Sequence, residues 1–155
     1  MLEKPISARD VGFEQLMRGA PESHATTCPL RPQADSVKTA RDVTRSTLSD
    51  WGLSELSDDA TLVVSELVTN AVRYALYPVD RMIDCPITLM LVRLAPHVLL
   101  AVSDPSNEVP TPKEPDFISE NGRGLYIVET YSQAWGWDVL DAGGKAVWAL
   151  FRTDI

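Results

Sequence analysis

The apolar positions of this chain follow helical steps in some stretches and strand-like runs in others. Val37, Ala40, Val43/Thr44, Leu48 and Trp51 recur at three- and four-residue steps, which predicts an amphipathic helix capped by Asp35 and ended by Gly52. A second helical stretch starts at Ser57, read as its cap, with Asp58 and Asp59 in the first turn, where the helix dipole favours anions. Leu62, Val63, Leu67, Val68, Ala71, Val72 and Ala75 give it an apolar body, and Pro78 should stop it near Leu76 or Tyr77. Residues 86–94 and 97–103 are apolar and β-prone and are separated by Ala95-Pro96, which predicts adjacent antiparallel strands. Residues 23–30 predict a short edge strand, the setting that suits Pro29.

Further on, Gly122-Arg123-Gly124 opens a predicted helix through Leu125, Val128 and Tyr131. Trp135 to Leu140 and Ala146 to Arg152 read as a final hairpin turning at Asp141-Ala142-Gly143-Gly144. Residues 104–121, rich in Pro, Asp, Glu, Ser and Asn, predict a long loop of the kind that often covers a site. The order is strand, two helices, two strands, loop, helix, two strands. Helices grouped against a mixed, mostly antiparallel sheet give an α/β (α+β) two-layer sandwich with the helices on one face. Residues 1–22 predict an N-terminal extension with a short amphipathic piece around Val11 to Met17, and residues 23–155 a single domain. There is no internal repeat.

Composition narrows the function classes. The 155 residues carry a formal charge of −8. Phosphate backbones call for clusters of Lys and Arg, which the chain lacks, so a nucleic-acid surface is not expected. No apolar run is long enough to span a membrane, and no basic segment followed by an apolar block marks the N-terminus, so a cytoplasmic protein without a membrane partner is expected. The two cysteines, Cys28 and Cys85, each lie beside a proline and outside any metal-ligand spacing, and are read as reduced structural thiols. His24 and His97 are isolated and are read neither as ligands nor as phosphoacceptors.

Three constellations can carry chemistry. Glu66 and Asn70 stand four residues apart and share a face of an otherwise apolar helix. A carboxylate beside so much apolar surface is costly unless something polar lies nearby. A divalent cation with a phosphate ester would meet that need: Asn70 offers a hard oxygen, and Glu66 can accept a proton or orient a nucleophile. Arg73, on the next turn, can reach a phosphate or pair with an acid. In Val102-Ser103-Asp104-Pro105-Ser106 a strand ends at an acid. Ionised, Asp104 only accepts hydrogen bonds, which suits a ligand amine such as that of adenine; it equally suits a turn before proline. At Gly122-Arg123-Gly124-Leu125, unpartnered backbone N–H groups and the dipole of a helix start attract phosphate. The four tryptophans, Trp51, Trp135, Trp137 and Trp148, are read as packing residues, and Lys145 as a turn residue facing solvent.

In order and spacing the set resembles the GHKL ATPase superfamily. Glu66 to Asn70 is similar to its N box, Asp104 to the acidic start of its first glycine box, and Gly122-Arg123-Gly124-Leu125 to its second. Within the superfamily the chain most resembles the single-domain anti-sigma-factor serine kinases of the actinobacterial type, over residues 23 to 152. The supporting residues are Val64-Ser65-Glu66-Leu67-Val68-Thr69-Asn70-Ala71, Ile127-Val128, Trp135-Gly136-Trp137 and Gly144-Lys145-Ala146-Val147-Trp148. The resemblance implies a histidine-kinase-like ATP-binding fold with ATP and Mg²⁺ as ligands. Carried over, Asn70 would coordinate Mg²⁺ and Asp104, with Ser106 nearby, would bind adenine. Amides around Gly122, Arg123, Gly124 and Leu125 would hold phosphates, and Glu66 would be the base toward an attacking hydroxyl. It also implies a sigma factor or an anti-anti-sigma antagonist as partner, and a homodimer. The chain departs from the pattern in three places. No glycine follows Asp104 in Pro105-Ser106-Asn107-Glu108, Ala146 stands where relatives often have Thr, and Tyr74 stands where they often have His.

Two other functions fit the same residues. One is a non-catalytic, nucleotide-gated or nucleotide-free protein-binding module, suggested by the missing glycines. The other is the detached catalytic part of a sensor histidine kinase, disfavoured because no long helix with a phosphoacceptor His is present.

Overall fold

The computed structural model describes residues 24–75, 86–105, 120–140 and 143–153, with backbone alone for 74–75 and 120–124. The elements are β1 (Ala25–Leu30), α1 (Asp35–Asp50), a 3₁₀ turn (Ser54–Leu56), α2 (Ser57–Ala75), β2 (Ile87–Leu94), β3 (His97–Asp104), α3 (Glu120–Tyr131), β4 (Ala134–Val139) and β5 (Lys145–Arg152). The strands form one five-stranded sheet in the order β1-β2-β3-β5-β4, with every described pairing antiparallel. This is the predicted α+β sandwich, and the described helices lie on one face of the sheet.

Alternation along the strands decides which side chains meet the helices. Val98, Leu100 and Val102 of β3 and Val147, Ala149 and Phe151 of β5 join one core cluster with Ala40 and Leu48 of α1, Val63, Val64, Leu67 and Val68 of α2, and Val128 of α3. Leu48, Val63 and Val68 are fully buried, as the helical spacing predicts, and Val64 is fully buried beside them.

The starts of both long helices differ from expectation. Residue Ala34, before α1, already has helical geometry (φ −60°, ψ −34°) and makes no side-chain cap bond. Asp35 is therefore the first helical residue rather than the cap, and it still places a negative charge against the dipole. The Ser36 hydroxyl instead donates back to the Arg31 carbonyl at 2.6 Å. Ser57 is likewise no cap: the 3₁₀ turn feeds straight into α2, and Ser57 is helical at φ −60°, ψ −41°.

The end of α1 follows the sequence. Gly52 adopts φ +72°, its N–H donates to Ser49 O, and the Leu53 N–H donates to Leu48 O at 2.8 Å. That is a Schellman stop, which requires left-handed backbone where glycine is least strained. β1 pairs only with β2 among the described strands, so Pro29 sits on an edge where its missing N–H costs little. The stop at Pro78, the loop from 106 onward, the amphipathic piece at Val11 to Met17 and Cys85 lie outside the described residues. Cys28 is half-buried on β1.

Candidate functional site

α2 presents two faces. Ala60, Val63, Val64, Leu67, Val68 and Ala71 point into the core. Glu66 and Asn70 stand at the margin of that stripe, each half-buried, one turn apart on the same face. Leu62, counted by its hydrophobicity among the apolar body, is instead 44% exposed. It belongs to the side of the helix that carries Glu66 rather than to the side facing the sheet. Arg73 is half-buried and lines a cleft of about 320 Å³ between α1 and α2, together with Ala34, Val37, Thr69 and Val72.

Asp104 is the last residue of β3 and has the parity of Leu100 and Val102, so its carboxylate enters the helix-facing layer at the end of the sheet. It is buried, and Lys145 Nζ donates to its Oδ1 at 3.0 Å. The two residues are direct cross-strand partners at the ends of β3 and β5. Lys145 therefore does not face solvent, as its place after two glycines suggested. It is buried to 3% exposure, and its ammonium compensates a carboxylate that could not otherwise be taken out of water cheaply. A carboxylate offers about four acceptor positions, so this pairing is compatible with further donors.

Gly144 makes the pairing possible. It holds φ +80°, and a Cβ there would run into the Asp104 carbonyl oxygen and come within 3.0 Å of Pro105 Cα. The turn between β4 and β5 is closed by Leu140 N–H to Gly144 O and by Gly143 N–H to Leu140 O, each at 3.0 Å. The turn thus presses its backbone against the end of β3 and delivers Lys145 beside Asp104. Lys145 and Gly144 shape the surroundings of Asp104, which their place in a turn did not suggest. The signal was present: the run from Ala146 to Phe151 is apolar at every position, so a strand beginning at Lys145 enters the interior at once.

α3 begins at Glu120, two residues before the first glycine. Gly122 is thus in the opening turn, where backbone N–H groups lack helical partners. The amide of Gly124 falls where the N–H bonds back to the carbonyl of Glu120. Leu125 is buried, and Val128 joins the core cluster on the side where α3 packs against α2. Arg123 lies in the opening turns, and Ser106 is outside the described residues.

Glu66, Asn70, Asp104 and the α3 start therefore share one layer of the molecule, the helical side of the sheet. Among the described residues no three His, Cys, Asp or Glu side chains gather to hold an ion. Magnesium in nucleotide sites keeps phosphate oxygens and waters and needs only one or two protein side chains, and Asn70 can offer one such oxygen.

Comparisons with known proteins agree with this architecture. The solved structure of the RsbU and RsbW domains of Rv1364c from Mycobacterium tuberculosis superposes with a TM-score of 0.63 at 20% sequence identity. The match covers 83% of this chain and 32% of that one, so the chain spans about a third of the protein it matches. No curated protein matches the sequence. Residues 30–151 match the family described as the histidine kinase-like ATPase domain, and that span holds both halves of the Asp104–Lys145 pair and the whole of α2. The chain belongs to the histidine kinase-like ATPase domain family.

Proposed function

We propose that this domain, over residues 23–155, binds Mg²⁺-ATP and acts as a protein serine/threonine kinase. Its substrate would be a serine of an anti-anti-sigma antagonist, and it would hold a sigma factor in the alternate state of a cytoplasmic partner switch. The observation that carries the reading is the Glu66/Asn70 pair, half-buried on one face of α2 in the same layer as the buried Asp104.

Bound Mg²⁺-ATP would supply the γ-phosphoryl group. Asn70 would hold the metal, with Arg73 on the next turn for a phosphate. Asp104, fixed by Lys145, would accept the adenine amine. The opening turn of α3, at Gly122 and Arg123 with Gly124 and Leu125 behind it, would hold phosphates. Glu66 would take the proton of the attacking serine hydroxyl. Phosphoryl transfer asks chiefly for positioning and charge neutralisation, which this set provides with one base. Incubation of the protein with radiolabelled ATP and a cognate serine antagonist should label the antagonist. Glu66→Ala should abolish the label and leave nucleotide binding intact; a label that survives the substitution removes Glu66 as base.

A second reading, a binding module without catalysis, is favoured by the Asp104–Lys145 pair together with the absence of glycine after Asp104. An acid already compensated by a buried cation has less need of a ligand. Calorimetry separates the two: no heat with Mg²⁺-ATP at high protein concentration supports the module, and saturable heat supports the kinase.

A further inference from the structure

The sheet has a second buried face that none of the described helices touches. Val92, Leu99, Ala101, Trp148 and Leu150 form a core cluster separate from the helical one, and its described members all come from strands or from Leu140 beside β4. In a two-layer sandwich these side chains would meet water, yet Leu99, Ala101 and Trp148 are 0% exposed. The sequences agree: β3 and β5 are apolar on both faces, the pattern of strands covered on two sides rather than one.

The geometry of the face asks for a flat apolar cover. Val92, Leu99 and Leu150 line up across the sheet with Ala134, and in the next row Trp148 lies between Ala101 and Gly136. Small neighbours on both sides let the indole lie across the strands. Its Nε1 is buried without an acceptor among the described residues. A buried indole N–H ordinarily finds a partner, so the cover should bring a carbonyl or a polar side chain to Trp148.

We infer that residues 1–23 of this same chain dock on this face as a third layer. They lead directly into β1, whose Ala25 already packs against the cluster. They have length enough: crossing five strands takes about 19 Å, which about 13 residues of helix span. Phe13, Leu16, Met17 and Ala20 stand at i, i+3, i+4 and i+7, one apolar stripe, while Glu14, Gln15 and Arg18 fall at other angles.

The test uses the full chain with Cys28→Ser and Cys85→Ser and a nitroxide attached through Glu14→Cys. The label should broaden the Trp148 indole resonance and the β3 and β5 amides more than those of α1, independently of protein concentration. Broadening confined to residues near β1 overturns the inference. A mixture of nitroxide-free ¹⁵N-labelled chains and spin-labelled unenriched chains reports on a second copy: broadening at Trp148 there assigns the cover to another molecule and overturns it too. As a second measurement, an Ala101→Cys thiol in the full chain should resist maleimide. It should react at least tenfold faster when Phe13→Asp and Leu16→Asp are added; equal rates in the two backgrounds contradict the inference.

Discussion

Lys145 and Asp104 show how much one side-chain pair decides at the residue scale. Breaking a buried ion pair on one side leaves an uncompensated charge in the interior, at a cost of about 3–5 kcal/mol. Lys145→Met should therefore lower unfolding stability by that amount in urea titrations. Replacing both partners, Asp104→Leu with Lys145→Met, should recover most of the loss while removing the proposed adenine contact. A single variant as stable as the parent would show that the pair is not desolvated. Gly144 offers a sharper comparison. Gly143 and Gly144 both hold positive φ, at +97° and +80°, but an added Cβ meets nothing within 4 Å at Gly143 and meets the backbone of Asp104 and Pro105 at Gly144. Gly143→Ala should carry only the left-handed backbone strain, about 1–3 kcal/mol. Gly144→Ala should lose more than that in the same titration. At this scale the sequence was only partly legible. Asp104 could be picked out because an acid ending an apolar strand is conspicuous, whereas its partner lies 41 positions away and is joined to it only by the β3–β5 register.

At the scale of elements, periodicity read well because helices and strands bury definite faces. α1, α2, both central strands and the final hairpin stand where the spacing put them, and Gly52 and Pro29 do what their backbone chemistry requires. The misreadings fall at the helix starts, where Asp35 and Ser57 are capping residue types but the preceding backbone is already helical. A cap depends on the φ and ψ of one residue, and residue type alone does not fix those angles. The exposed Leu62 is the same lesson on a helix face: hydrophobicity gave it to the core, and its angle around α2 gave it to the margin. Packing sets the expected cost of disturbing these elements. Leu100→Ala, at a fully buried position between the sheet and α2, should destabilise by about 2–5 kcal/mol. Gly52→Ala should cost about 1–2 kcal/mol through the left-handed stop alone. Thermal or denaturant unfolding of the two variants side by side checks the ranking, which a smaller loss in Leu100→Ala would reverse.

For the whole molecule, one sheet carries the candidate site on its helical side and, on the other, an apolar face that is buried as well. The helical side assembles Glu66 and Asn70 on α2, Asp104 locked to Lys145 at the sheet end, and the start of α3. The family match and the fold place this arrangement among histidine kinase-like ATPase domains, while the proposed kinase activity rests on Glu66 and Asn70 and the proposed partners on the family resemblance. The three constellations could be found in the sequence because their order along the chain is itself informative. Their shared layer could not be found there, since it follows from strand parity and from the packing of α3 on α2. The most direct test is calorimetric titration of the full chain and of Asn70→Ala with Mg²⁺-ATP, alongside their unfolding midpoints. The expected result is saturable one-to-one binding to the parent, lost in Asn70→Ala at an unchanged midpoint; equal affinity in both proteins, or no binding to the parent, would contradict a nucleotide site on this face of α2.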